Sequence, residues 1–266
     1  MSDQGVKYFL NHCHSIGPKK QGYGSPASVL NLKRYFFLSN LFIISTVISY
    51  SSEDIFLLHG LARTSSSMRS MEKFLSDHNF SVSNLDYPSR HFAIPKLAQK
   101  VRQQIITISE EKRLSTYHFV THSMGGIILR QIQATNPLPD LGRVVMLGPP
   151  NQGSEIVDKL GKMKVFQLLN GPASLQLSTH ASSIPNQLGP VSFELGVIAG
   201  DRSINPILSS MIQGKDDGKV AIPRTRVEGM KDFLIVHSPH PFLMNHKPTQ
   251  ENALHFIKTG KFIEND

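Results

Sequence analysis

The chain has 266 residues, 39% hydrophobic and 18% charged, with no repeat period or low-complexity tract. That excludes a solenoid or a disordered chain and fits one sizeable core. The formal charge is +8, which raises the question of nucleic acid. Its distribution answers it: five basic residues (Lys7, Lys19, Lys20, Lys33, Arg34) and one acid (Asp3) lie in the first 51 positions. The rest of the chain carries +4 with no basic stripe, which argues against a nucleic-acid partner and leaves mild attraction to an anionic lipid surface. The one cysteine, Cys13, excludes an intrachain disulfide and decides nothing about compartment.

Residues 1–52 read as a tail followed by a targeting segment. Positions 35–50 (YFFLSNLFIISTVISY) are an apolar run after Lys33-Arg34 and before Ser51-Ser52, the layout of a secretory signal. The run is short for a bilayer span, which needs about 20 residues. Because it begins so far from Met1, the reading adopted is translation from near Val29 or Leu30 and an exported form beginning near Ser52. An uncleaved membrane anchor and a buried helix are the alternatives.

From residue 53 onward, β-rich runs alternate with helical patterns, the signature of a parallel sheet. Strands are expected at Asp54–Leu58, Ser81–Leu85, Tyr117–Thr121, Arg143–Leu147, Glu194–Ala199 and Asp232–Val236. Helices are expected at Ser67–Asp77, Ile94–Lys112, Gly125–Ala134 and Thr249–Thr259. The second shows its period directly, with Leu97, Val101, Ile105 and Ile108 on one face. The expected fold is an α/β domain over 53–266, with about six mainly parallel strands and helices on both faces. Asn151 to Ser192 is far longer than an ordinary connection. With its apolar stretch from Ile156 to Leu169, it reads as a short helical cap.

The strongest local signal is Thr121-His122-Ser123-Met124-Gly125-Gly126, between a strand and a helix. A serine on a sharp strand-to-helix turn needs small neighbours two before and two after it. The stretch resembles the G-x-S-x-G nucleophile elbow of the α/β-hydrolase superfamily, with Thr121 where the first glycine is usual. Three further stretches resemble its lipase/esterase-like branch, of small exported bacterial type: His59-Gly60-Leu61, Pro150-Asn151-Gln152-Gly153-Ser154, and Asp217-Gly218-Lys219-Val220. In the last, Lys219 replaces a residue that is more often small or aliphatic.

The resemblance implies Ser123 as nucleophile, Asp217 as acid and His240, after the last strand, as base. It implies an oxyanion hole from the N–H groups of Leu61 and Met124, supported by Gly60, Gly125 and a turn-ordering His59. Asp201, directly after a strand, is an alternative acid, with Asp86 a more remote one; His237 and His246 are alternative bases. There is no zinc spacing, no phosphate-cradling loop and no dinucleotide fingerprint, so no metal and no cofactor are expected. The implied function is serine hydrolysis of carboxylic esters, small or lipid-like. Thioesterase or acyltransferase chemistry on the same residues, or a non-catalytic exported binding protein of this fold, are the alternatives.

Overall fold

A computed structural model describes residues 53–264. The tail and the apolar run at 35–50 lie outside them. Six strands, β1 (Glu53–Leu58), β2 (Ser81–Leu85), β3 (Thr116–His122), β4 (Leu141–Leu147), β5 (Leu195–Gly200) and β6 (Asp232–Val236), form one sheet of order β2-β1-β3-β4-β5-β6. Every neighbouring pair is parallel. The expected strands differ from these only at their ends.

The near-continuous apolar strands follow from burial on both faces, where alternate side chains enter different cores. Phe56, Phe119, Val144, Met146 and Val197 enter one core. Ile55, Leu57, Val120, Val145, Leu147 and Ile198 enter the other. The helices divide accordingly: α1 (Arg69–Asp77) supplies Met71 and Leu75 to the second core, while α2 (Ile94–Lys112) and α3 (Met124–Thr135) fill the first. Helix α2 buries Leu97, Val101 and Ile105, with Ile108 partly buried against the same core, and stops at Arg113 in the left-handed region (φ 53°).

Between β4 and β5 run four short helices, α4 (Glu155–Leu160), α5 (Lys164–Asn170), α6 (Pro172–Leu175) and α7 (Ile184–Gln187). One-turn helices α8 (Pro206–Ser209) and α9 (Ile222–Thr225) follow β5. Finally α10 (Lys247–Thr259) packs Ala253, Phe256 and Ile257 into the second core. The loops after β1, β3, β4, β5 and β6 leave the same carboxyl edge, where sheets of this kind carry their sites.

Candidate active site

Ser123 sits between the last residue of β3 and the first of α3, at φ 54° and ψ −124°. For a residue with a Cβ this is strained backbone, kept only where the surroundings enforce it. They do so here through close packing. The Ser123 N–H donates to the Leu147 carbonyl at 2.8 Å, and a Cβ on Gly125 would lie 2.6 Å from the Leu58 carbonyl oxygen. Any larger residue at 125 would push α3 off β1 and open the turn. Gly60 is constrained in the same way, since a Cβ there would meet Ser123 Cβ at 3.2 Å and His122 Nδ1 at 2.9 Å.

His240 opens a 3-10 turn that runs from His240 to Asn245, rather than lying in open loop. Its Nε2 is 3.0 Å from Ser123 Oγ and its Nδ1 is 2.6 Å from Asp217 Oδ2. Asp217 is fully buried, and its other oxygen accepts from the Lys219 and Val220 N–H groups at 2.9 Å each. That fixes the carboxylate plane. Gly218 makes this tight loop feasible with φ 94°, and the His240 N–H closes it by donating to the Asp217 carbonyl at 2.9 Å. With Nδ1–H donated to the carboxylate, Nε2 keeps its lone pair toward the serine hydroxyl.

The remaining sequence-selected residues sort by their partners. Leu61 lies on the cavity that holds Ser123, and Met124 is the first residue of α3. Neither N–H donates a hydrogen bond among the described residues. His59 orders its turn: Nδ1 donates to the Gly60 carbonyl at 2.9 Å, Nε2 accepts from the Tyr87 N–H, and the Tyr87 ring stacks on it at 3.9 Å. Burial lowers its pKa below the ordinary histidine value, opposed by Asp86 and the backbone.

The alternatives lie elsewhere. Asp201, the alternative acid, pairs with His237 Nδ1 at 2.8 Å and not with His240. The cause is register: parallel pairing of Gly200 with Val236 brings the residue after each strand side by side. His246 stands before α10 and meets Thr249 Oγ1 at 3.1 Å, while Asp86 accepts from the Ser65 N–H at 2.8 Å.

Sequence reasoning passed over three residues here. His122 is buried, its Nε2 donates to the His240 carbonyl at 3.0 Å, and its ring lies 4.7 Å from that of His240. Burial first, then the neighbouring imidazole, hold its pKa well below the ordinary histidine range, so it stays neutral. Gly148, at φ 55°, runs beside Asp217 and His240, where a Cβ would lie 3.0 Å from both Asp217 Oδ2 and His240 Nδ1. Arg130, buried on α3, donates to the carbonyls of Asn151, Pro185 and Gly189 at 3.1, 3.1 and 2.6 Å, and to Asn151 Oδ1 at 3.1 Å. Burial pushes its pKa down to about 10. It thereby ties the segment between β4 and β5 to the helix that follows Ser123.

The Pro150 to Ser154 turn finishes that tie. Asn151 donates onward to the Thr225 carbonyl at 2.8 Å, and Ser154 Oγ donates to the Lys219 carbonyl at 2.7 Å, two residues after Asp217. Above Ser123 and His240 opens a cavity of about 380 Å³, lined by apolar side chains such as Leu61, Val157, Phe166, Leu177, Leu208 and Val220, with Arg63 and Lys219 also on its wall. Partial burial lowers the Lys219 ammonium from its ordinary range, Asp217 opposing the shift and Arg63 adding to it.

The parallel sheet, the helices around it and the serine at its carboxyl edge define an α/β-hydrolase. The sequence profile of the palmitoyl protein thioesterase family matches residues 54–187, just over half of the chain, and the chain belongs to that family. The matched span holds the elbow and the His59 turn and ends before Asp217 and His240. No curated protein matches the sequence.

Among solved structures, the mature form of the lipase BlEst2 from Bacillus licheniformis superposes with a TM-score of 0.64 at 16% identity, covering 80% of this chain and 94% of that one. A metagenomic carboxyl esterase gives 0.60 at 15% identity over 72% of this chain and 65% of that one. Phospholipase PlaB from Legionella pneumophila gives 0.55 at 19% over 65% of this chain, which spans 45% of that longer protein. At such identities the likeness is one of fold.

Proposed function

We propose that the chain is an acyl hydrolase in which Ser123 is the nucleophile, His240 the general base and Asp217 the group that orients it. The observation that carries this reading is the unbroken contact from Ser123 Oγ to His240 Nε2 at 3.0 Å and from His240 Nδ1 to Asp217 at 2.6 Å. Ser123 Oγ attacks the acyl carbonyl carbon as its proton passes to His240 Nε2. The oxyanion is received by the Leu61 and Met124 N–H groups, the second aided by the start of α3. His240 then protonates the departing alcohol or thiol, leaving an acyl group on Ser123. Water, deprotonated by the same imidazole, releases the acid.

The acyl chain takes the apolar cavity, as clefts of this kind pair mostly apolar walls with few polar groups. The helices between β4 and β5 supply part of that wall and act as its cap. Membership of a thioesterase family favours an acyl thioester over an oxygen ester. Reaction of the folded protein with a fluorophosphonate probe tests the nucleophile, and the adduct is expected at Ser123 alone. Absence of labelling would favour a binding protein that only keeps the fold. Comparing kcat/KM for a long-chain acyl thioester and the matching oxygen ester tests the leaving group.

A further inference from the structure

Exposed aliphatic side chains are ordinary when scattered, but a set gathered round a cavity mouth is a surface that wants covering. On α5, Val165, Leu168 and Leu169 are 61%, 82% and 57% exposed. Across the cavity, Ile204 and Ile207 at α8 are 57% and 69% exposed, and Phe242, two residues after His240, is 49% exposed. The two helices border one opening, because Phe166 and Asn170 of α5 and Ile204 and Leu208 beside α8 line the same cavity. Phe166 and Leu208 also pack against one apolar cluster. The inner faces of these short helices are thus engaged, while Val165, Leu168, Leu169 and Ile207 remain open to solvent.

The charge beside this patch is positive. Lys159, Lys162 and Lys164 are exposed and form no ion pair among the described residues. Lys164 and Leu168 are four residues apart on a helix and so share a face. The acids of the same stretch are occupied: Glu155 pairs with Arg224 at 2.5 Å, and Asp158 accepts from Thr179 N–H and Oγ at 2.9 and 2.6 Å. No helix among the described residues is long and apolar enough to cross a membrane.

We infer that this face docks on an anionic lipid bilayer, with the outer aliphatic side chains of α5 and α8 in the acyl boundary and Lys159, Lys162 and Lys164 against the phosphates. A protein partner would need a shaped, hydrogen-bonding counterpart. Aliphatic side chains edged by unpaired lysines are instead the composition of helices that lie in a membrane interface. The cavity would then open onto the lipid. The inference rests on the acyl-hydrolase reading for its purpose, though not for its measurement.

The test uses the full chain with Cys13→Ser and an environment-sensitive fluorophore on Leu168→Cys, compared with the same fluorophore on Glu111→Cys. Glu111 adjoins Lys112, whose ammonium bonds Asp54 at 2.9 Å at the start of β1, the end of the sheet opposite the site. Vesicles of phosphatidylcholine with phosphatidylglycerol should shift the Leu168 probe to the blue and expose it to quenching by brominated lipid, leaving the Glu111 probe unchanged. Pure phosphatidylcholine should do far less. Each lysine near such a surface adds roughly fivefold in partitioning, so Lys159→Gln, Lys162→Gln and Lys164→Gln together should weaken binding on the order of 100-fold.

An unshifted Leu168 probe on vesicle-bound protein overturns the proposal, since another part of the chain would then hold it to the vesicle. So do equal shifts at both probes, or a response indifferent to lipid charge. Fluorophosphonate labelling of Ser123 in the same samples separates a failure of docking from a failure of the hydrolase reading.

Discussion

Replacing Asp217 by asparagine probes the orientation of His240 with little effect on the fold, because the two oxygens of Asp217 do different work. Oδ1 accepts from the Lys219 and Val220 N–H groups, and Oδ2 faces His240 Nδ1 at 2.6 Å. In Asp217→Asn the amide oxygen must stay on the two backbone donors, since turning it would set an NH2 against two N–H groups. The NH2 then faces Nδ1, which can only accept from it, so the imidazole proton moves to Nε2 and no lone pair is left toward Ser123 Oγ. In serine proteases this tautomer error lowers turnover by about 10⁴-fold, equivalent to about 5.4 kcal/mol of transition-state stabilisation. The same loss is expected here with near-native circular dichroism, as the loop keeps its main-chain bonds. Asp201→Asn changes only an exposed contact to His237 and should alter turnover by less than about threefold, in keeping with the small worth of exposed ion pairs. Turnover of a short-chain ester by the two folded variants decides the matter. An inactive Asp201→Asn beside an active Asp217→Asn would refute the assignment.

His122 links the site to pH. Its pKa is held well below its ordinary value near 6.5 by burial, so below that pH the unfolded chain binds a proton that the folded one refuses. The stabilisation is complete above pH 6.5 and declines as the pH falls, by roughly 1.4 kcal/mol per unit for one proton. In His122→Gln, whose amide can still donate to the His240 carbonyl, urea unfolding from pH 7 to 5 should show a slope shallower by about one proton; an unchanged slope would clear His122 of the effect. Arg130→Met leaves four acceptors, three of them buried, without that donor, and about 3–5 kcal/mol of stability should go with those bonds. Limited proteolysis should then cut between residues 151 and 190 first, and resistance equal to the wild type would show that Arg130 does not hold that segment.

What was legible in the sequence depended on how local the signal is. Parallel strands buried on both faces, such as Ile55 to Leu58, announce themselves as apolar runs, and α2 announces itself by its period. Helices of four residues, like α8 and α9, are too short for any period and take their stability from packing. Ser123 and Asp217 sit in turns whose glycines are visible in the sequence. The Asp201–His237 contact was not legible, since it arises from the register of β5 on β6. Nor were the roles of His122 and Gly148, which depend on a loop about a hundred residues away. Arg130 did carry a signal, as the one charged residue within the mostly apolar Gly125 to Ile132. A buried arginine there has to find acceptors, and it finds them in Asn151, Pro185 and Gly189 of the segment between β4 and β5.

Thr121 shows how a departure from the usual elbow can be absorbed. The position two before the nucleophile is normally glycine because it lies against the start of the nucleophile helix. Here Thr121 is fully buried and its hydroxyl lacks a hydrogen-bond partner, so it gains nothing polar from its place. The room comes from across the interface: a Cβ on Gly126 would approach Thr121 Oγ1 at 3.2 Å and Met146 Sδ at 2.9 Å. Methionine is flexible and can move aside, whereas a β-branched side chain on a central strand is held at χ1. Gly126 therefore compensates for Thr121. Gly126→Ala should cost about 1–3 kcal/mol from overpacking in the native background. In Thr121→Ala, which removes the opposing hydroxyl and methyl, the same change should cost little, since alanine is also the better helix former. A double-mutant cycle by urea unfolding is expected to give a coupling on the order of 1 kcal/mol, with the double variant more stable than the sum of the single effects. Additivity within about 0.5 kcal/mol would mean that Met146 alone sets the need for glycine, and that the threonine fits the elbow without help from the helix.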